Sequence, residues 1–203
     1  MNTQKISTKI VTAVAGGRLR RKGILIGRSL KLDGWPIVSA SPGSTIAIGR
    51  NFVAVSKPRS QVIGVNHPVI IRTLSPASVI EIGDDVAISG GTIVASGHVR
   101  IGDGCLIGAN CLIVDTDFHP VHSPSRRYAD RPSFRQLDAV AIGQNVFIGT
   151  GSKILKGVRI GDNSVVGAGS VVVSSFPANS IIAGAPAKWV SSVQVPSDGG
   201  QSK

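Results

Sequence analysis

An aliphatic residue, most often followed by Gly, returns every six positions along this chain: Ile82, Ile88, Val94, then Ile101, Ile107, Ile113, then Ile142, Ile148, Ile154, Ile160, Val166 and Val172. A six-residue beat fits neither the period of a helix nor the strict alternation of a flat hairpin. For one phase always to point inward, a short strand must turn a corner after each repeat, and three corners close a triangular coil. The aliphatic residue then fills the prism, and the Gly beside it removes a Cβ from the corner. The fifth position takes a small or branched residue: Val86, Thr92, Cys105, Cys111, Val146, Ser152, Val158 and Ser164. Successive coils would stack at the strand spacing of about 4.8 Å. The expected fold class is all-β, a parallel β-helix of hexapeptide repeats.

Composition agrees with that reading. Hydrophobic residues make up 42% of the 203 residues and aromatics only 4%, so the core must be built from small aliphatic side chains. With 25 Gly, 11 Pro and 16% charged residues, many short strands and tight turns suit the chain better than amphipathic helices.

The beat is interrupted twice. A step of seven between Val94 and Ile101 reads as a one-residue bulge, and a step of 29 between Ile113 and Ile142 leaves 29 − 6 = 23 inserted residues. Weaker Ile-Gly starts at Ile26, Ile48 and Ile63 place the first coil near residue 24, so one domain over 24–190 is expected, with an inserted loop at about 115–139. Residues 1–23 carry Lys5, Lys9, Arg18, Arg20, Arg21 and Lys22, with Ile6, Ile10, Val11 and Val14 at near-helical spacing. This segment reads as a frayed, solvated start, with weak contact to a membrane surface as the second reading. The polar, Gly-rich segment 191–203 is expected to be disordered.

Lys and Arg number 22 against 11 Asp and Glu, a formal charge of +11 that favours anionic ligands. Nucleic acid is not the expected partner, because the cations are not interleaved with aromatics and no nucleic-acid-binding signature is present. No apolar run approaches the roughly 20 residues of a membrane span, and the first residues lack the apolar core of a secretory signal, so a cytoplasmic location is expected, with the inner face of the membrane as an option. Cys105 and Cys111 match neither a metal knuckle nor a redox pair and read as buried fillers.

The inserted loop opens with Asp115-Thr116-Asp117-Phe118-His119-Pro120 and runs on through Arg126, Arg127, Arg131 and Arg135. The prism has no room for it. A loop of more than about 15 residues in a compact domain is usually functional or disordered, and this opening is unlike a disordered linker. This stretch, with the following Ile142-Gly143-Gln144-Asn145-Val146-Phe147-Ile148-Gly149, resembles the sugar and polysaccharide O-acetyltransferase branch of the hexapeptide-repeat acyltransferases, typified by maltose and galactoside acetyltransferases. The likeness runs from about Ile82 to Val190.

That resemblance implies coils that wind left-handed, against the usual crossover rule. It implies that His119 takes the proton from an acceptor hydroxyl, a task for which free imidazole, titrating near about pH 6.5, is suited. Asp117 is a candidate to accept from the second ring nitrogen and fix the tautomer. It places the pantetheine arm of acetyl-CoA against Gly149-Thr150-Gly151 and Gly167-Ala168-Gly169-Ser170, with Thr150 and Ala168 as contacts and Gly149 and Gly167 permitting close approach. Phe147 stands where relatives carry a Trp near the acyl group, and Lys188, in Ala183-Gly184-Ala185-Pro186-Ala187-Lys188, would meet the CoA phosphates.

Acceptor candidates are Asn66, Ser89 and Arg127. The chain departs from the galactoside and maltose enzymes in having no Asn within Ser89-Gly90-Gly91-Thr92, and Ser174 where they carry a phosphate-contacting Lys. The resemblance further implies a homotrimer with sites between neighbouring prisms, and no metal. Two other readings are a carbonic anhydrase-like metalloenzyme on the same prism, which needs three His ligands from the four present, and a non-catalytic scaffold.

Overall fold

The computed structural model describes residues 3–130 and 134–194. Among these the repeat forms twenty short strands in three sheets of six, eight and six, the three faces of a column. Face A contains Leu25–Ile26, Thr45–Ile48, Val79–Ile82, His98–Ile101, Val140–Ile142 and Arg159–Ile160. Face B contains Lys31–Asp33, Val53–Val55, Ala87–Ser89, Leu106–Ile107, Phe147–Ile148, Val165–Val166 and Ser180–Gly184, and ends on the antiparallel strand Ala187–Ser192. Face C contains Ile37–Ser39, Ile70–Thr73, Thr92–Ala95, Leu112–Val114, Lys153–Ile154 and Val171–Val172. The chain visits A, B and C in turn, so sequence neighbours do not pair, and each strand bonds in parallel to its equivalents one coil away. The result is a left-handed parallel β-helix of six coils.

The inward phase supplies the core. On face C the stack Ile71, Ile93, Ile113, Ile154 and Val172 is at most 1% exposed, and on face B Ile88, Ile107, Ile148, Val166 and Ile182 are equally buried. Each such side chain contributes about 1.5–3 kcal/mol on burial, and the contribution repeats with each coil. Between faces A and B the corner residue is left-handed in successive coils: Asn51, Asp85, Gly104, Asn145, Asn163 and Asn179 have φ between 52° and 68°. Asn and Gly tolerate that region best. In the first five of these corners the Gly two positions earlier lies against the next coil. At Gly102 a Cβ would stand 2.6 Å from the Gly143 backbone.

Four expectations need correction. First, register pairs Ile113 with Ile93, so Ile93 and not Val94 holds the inward phase, and the irregularity is a step of five followed by one of eight. Val94 points outward yet is only 6% exposed, as Val114 beside it is 3% exposed, which is why the two could not be told apart by apolar pattern. Second, Ile63 starts no coil. It is 65% exposed within a second insertion, residues 56–69, between faces B and C of the second coil. Third, the N-terminal segment is not frayed: Thr3–Arg21 is a helix, α1. Its Val11, Ala15 and Leu19 are buried with Ile24, Leu32 and Val38, so it closes the open end of the column where those residues would meet water. The Thr12 hydroxyl accepts the Leu32 N–H at 2.9 Å, satisfying an edge strand that has no coil beneath it. Fourth, Ser191 and Ser192 belong to the last strand; of the segment expected to be disordered, residues 195–203 lie outside the described residues.

No helix among the described residues is long and apolar enough to cross a membrane. Cys105 and Cys111 are unbridged and 1% exposed, as expected of fillers. Burial pushes the Cys105 thiol up to about 11 and raises that of Cys111.

Candidate active site

The inserted loop leaves the column at the edge between faces C and A, after the fourth coil, and its root is tightly held. Asp115 is 2% exposed and its carboxylate accepts the Ser96 and Gly97 N–H groups at 2.6 and 2.8 Å. Burial raises its pKa, against those two N–H donors, which pull the other way. Next, Phe118 has φ 62° and the His119 N–H donates to the Asp117 carbonyl at 2.7 Å. A three-residue turn with a bulky residue at positive φ is strained, and it presents His119 on the exposed side of the loop.

Asp117 does not take the expected role within the chain. Its carboxylate receives the Lys156 ammonium rather than the His119 ring. Lys156 also lies 3.9 Å from Asp138, near the loop's far end, and Asp138 receives two guanidinium bonds from Arg135 at 3.0 and 3.1 Å. Arg135 holds the Asp138 carboxyl below the usual carboxylate range. Lys156, from the fifth coil, therefore ties the two ends of the loop together. A polar cavity of about 20 Å³ sits among Ser96, Asp115, Asp117, Phe134, Asp138 and Lys156, room for a single water. Further out, the Arg126 side chain bonds the Val121 carbonyl, while exposed Arg127 lies 5.6 Å over the Tyr128 ring.

The other candidates gather on a different edge, between faces B and C. Gly149-Thr150-Gly151 and Gly167-Ala168-Gly169 form that corner in the fifth and sixth coils, and the close approach requires glycine: a Cβ on Gly149 would meet the Ala168 amide nitrogen at 2.5 Å. Their flanking groups are paired, Gly151 N–H to Ala109, Gly167 N–H to Ile182 and Gly169 N–H to Thr150. The Thr150 and Ala168 amides themselves donate to no acceptor among the described residues. They are a ready pair of open donors for an extended ligand. Lys188 is exposed at the top of this edge, opposite Ala183 on the last strand. Phe147, 43% exposed, projects from face B below it.

Lower on the same edge lies the 56–69 insertion. The Asn66 N–H donates to the Asn110 side-chain oxygen at 2.8 Å, and Asn110 itself stands at φ 61°. Ser89 is 8% exposed and its hydroxyl accepts from Gln61 at 2.8 Å. Contrary to expectation, Ser89 thus anchors the insertion instead of facing an open site. Asn110 and Lys156 were missed by sequence reasoning. Asn110 sits where every other coil has Gly or a filler, and only its left-handed backbone, not its place in the beat, marks it.

A single chain does not bring these groups together. His119, Asp117 and Arg127 occupy the C–A edge, and Asn66, Thr150, Ala168 and Lys188 the B–C edge, with face C between them. A broad concavity of about 1170 Å³ along face A, bordered by Glu81, Arg100 and Arg159, includes neither set. The four His lie apart: His98 contacts Glu81 at 3.0 Å on face A, His67 bonds the Pro68 carbonyl on the B–C edge, and His119 and His122 stand in the loop. Among the described residues no group of three His, Cys, Asp or Glu side chains converges as a metal site would.

Comparison with known proteins gives a consistent picture. Residues 139–174 match the family model "Bacterial transferase hexapeptide (six repeats)" and residues 98–114 match "Hexapeptide repeat of succinyl-transferase". The galactoside O-acetyltransferase of Escherichia coli K12 is 42% identical over 99 residues, 49% of this chain and 46% of that enzyme, so the match spans about half of that relative's length. WbbJ of Escherichia coli K12, whose name assigns it to O-acetyl transfer in lipopolysaccharide biosynthesis, is 33% identical over 172 residues, covering 80% of this chain and 79% of that protein. Among solved structures, a galactoside acetyltransferase in complex with coenzyme A superposes with a TM-score of 0.52 at 28% identity, covering 88% of this chain and 70% of the other. The polysialic acid O-acetyltransferase OatWY superposes with a TM-score of 0.56 at 25% identity, covering 86% and 92%.

Proposed function

We propose, since the chain belongs to the hexapeptide-repeat transferase family, that it moves an acetyl group from acetyl-CoA to a hydroxyl of a sugar or glycan precursor. The observation that carries this reading is the placement of His119. An out-of-phase loop pinned at both ends holds an imidazole at one edge of the column, on a strained turn with no packing role.

In the proposed reaction the His119 imidazole takes the proton of the acceptor hydroxyl as its oxygen attacks the thioester carbonyl. The open Thr150 amide is suited to stabilise the oxyanion. Collapse breaks the C–S bond, and the proton passes from the imidazolium to the leaving thiolate. Atoms balance without a covalent acyl-enzyme.

Because the two sets of residues occupy different edges, the reading requires a second copy. We propose a homotrimer in which the His119 loop of one prism faces the Thr150–Ala168 edge of the next. An outward column on face B supports association: Val53, Ala87, Leu106, Phe147, Val165 and Ile181 stack in register, with Leu106 52% and Phe147 43% exposed. Lys188 would meet the CoA phosphates, and Asn66 and Arg127 would contact the acceptor. Use of acetyl-CoA would place the reaction in the cytoplasm, within glycan or polysaccharide biosynthesis.

The test is thiol release from acetyl-CoA across a panel of sugars, nucleotide sugars and lipid-linked glycans, with product masses. His119→Ala is expected to lower turnover by about 10²–10⁴-fold with CoA-induced thermal stabilisation retained. Unchanged turnover in that variant, or no acetylated product from any hydroxyl acceptor, overturns the reading.

A further inference from the structure

The positive charge of the chain is concentrated at one end of the column. Residues 1–32 hold eight of the 22 Lys and Arg and none of the 11 Asp and Glu, a balance of +8, whereas the remaining residues hold 14 against 11, or +3. Side-chain exposure is described for seven of the eight: Lys9, Arg18, Arg20, Arg21, Lys22, Arg28 and Lys31. All seven are exposed, and none forms an ion pair among the described residues. Folding thus gathers these cations onto α1 and the first coil without neutralising them.

The same end exposes apolar surface. α1 is spent on the column along Val11, Ala15 and Leu19, yet its exposed flank carries Ile10, 58% exposed, and Val14, 43% exposed, one turn apart. Beside it Trp35 is 48% exposed, with the Arg18 guanidinium 5.4 Å over its ring, and Leu25 is 60% exposed. Nothing in the packing of the column explains leaving these side chains in water.

We propose that the α1 end is a docking face for an anionic membrane surface. An in-plane helix with an apolar stripe and a cationic rim is the arrangement that binds the boundary between headgroups and acyl chains. Trp sits well there, with its ring partly immersed. Each Lys or Arg near an anionic bilayer adds to the attraction. The apolar stripe favours lipid over nucleic acid, whose phosphate backbone offers Ile10 and Val14 no partner. Docked by this end, the column would stand away from the membrane. Coils four and five, with the His119 loop, would then lie about 15–20 Å beyond the first coil at the strand spacing, on the side away from the bilayer. The docking face is distinct from the catalytic reading and is tested without it.

The experiment is co-sedimentation of the full chain with vesicles of phosphatidylcholine alone or mixed with phosphatidylglycerol. In parallel, Trp35 emission is followed in a Trp189→Phe background. Binding to the mixed vesicles only is expected, with a blue shift of Trp35 and release by salt. The variant Arg20→Glu/Arg21→Glu/Lys22→Glu is expected to lower the partition constant at least about tenfold. Ile10→Ser/Val14→Ser is expected to lower vesicle binding while leaving heparin binding unchanged; circular dichroism and a thermal melt check the fold of each variant. The proposal is overturned by absence of binding to anionic vesicles, by undiminished binding of the triple variant, or by duplex DNA that competes while Trp35 emission stays unshifted.

Discussion

Lys156 is the side chain on which the geometry around His119 turns. Its ammonium joins Asp117 and Asp138, two carboxylates at opposite ends of a long excursion. The group is a third exposed and the pairs are open to solvent on one side, so their direct worth to stability is about 1 kcal/mol or less. Its effect should therefore appear in placement of the loop. Lys156→Met is expected to shift the thermal midpoint by only a few degrees, given about 2–4 °C per kcal/mol for a domain of this size. Turnover should fall about tenfold or more, with the KM for acetyl-CoA unchanged. Steady-state kinetics beside a thermal melt checks both, and a collapse of the fold would assign Lys156 a purely structural role. His119 could be named as a candidate because its neighbours in sequence carry a recognisable pattern. Lys156 was not, because it stands 39 residues from Asp117 and meets it only through the stacking of one coil on the last.

The loop is an element in its own right, and its return path leans on one small residue. The Phe134 ring lies where a side chain at Gly97 would go, its Cγ, Cδ2 and Cε2 carbons occupying the place of a Cβ there. Gly97→Ala must displace Phe134 and with it the segment leading to Arg135 and Asp138. The expected result is faster proteolysis within the loop and turnover reduced about tenfold or more, while the column melts within a few degrees of the parent. Limited proteolysis with kinetics tests this; an intact, protected loop in the variant would refute it. The strands were readable where an aliphatic residue followed by Gly fixed the phase, as at Ile142, Ile148, Ile160 and Val166. The phase was ambiguous at Ile93-Val94, because both are buried, one inside the prism and one outside. The 56–69 insertion was blurred for another reason: its apolar Val62 and Ile63 mimic coil residues although they are fully and 65% exposed. α1 was underrated because Val11, Ala15 and Leu19 only gain a partner once the first coil exists.

For the whole molecule, the proposed function calls on two edges that one copy does not join. If the face B column seats a neighbour, a charge within it should separate the copies: Leu106→Glu is expected to lower the mass measured by light scattering and to abolish turnover, with β-sheet dichroism retained. A fully active lone copy of the parent protein would refute the shared site. The three-sided winding carries one more consequence. Ile142 pairs with Ile160, 160 − 142 = 18 residues on, so the gain or loss of 18 residues lengthens or shortens the shaft and leaves each landing above its predecessor. A gain of six, one side of the triangle, rotates everything beyond it by a third of a revolution. Such a change would swing the Ala168 landing round to a neighbouring edge while breaking hardly any local bond, so natural length variation in shafts of this kind should come in whole revolutions or in spurs like the one that bears His119.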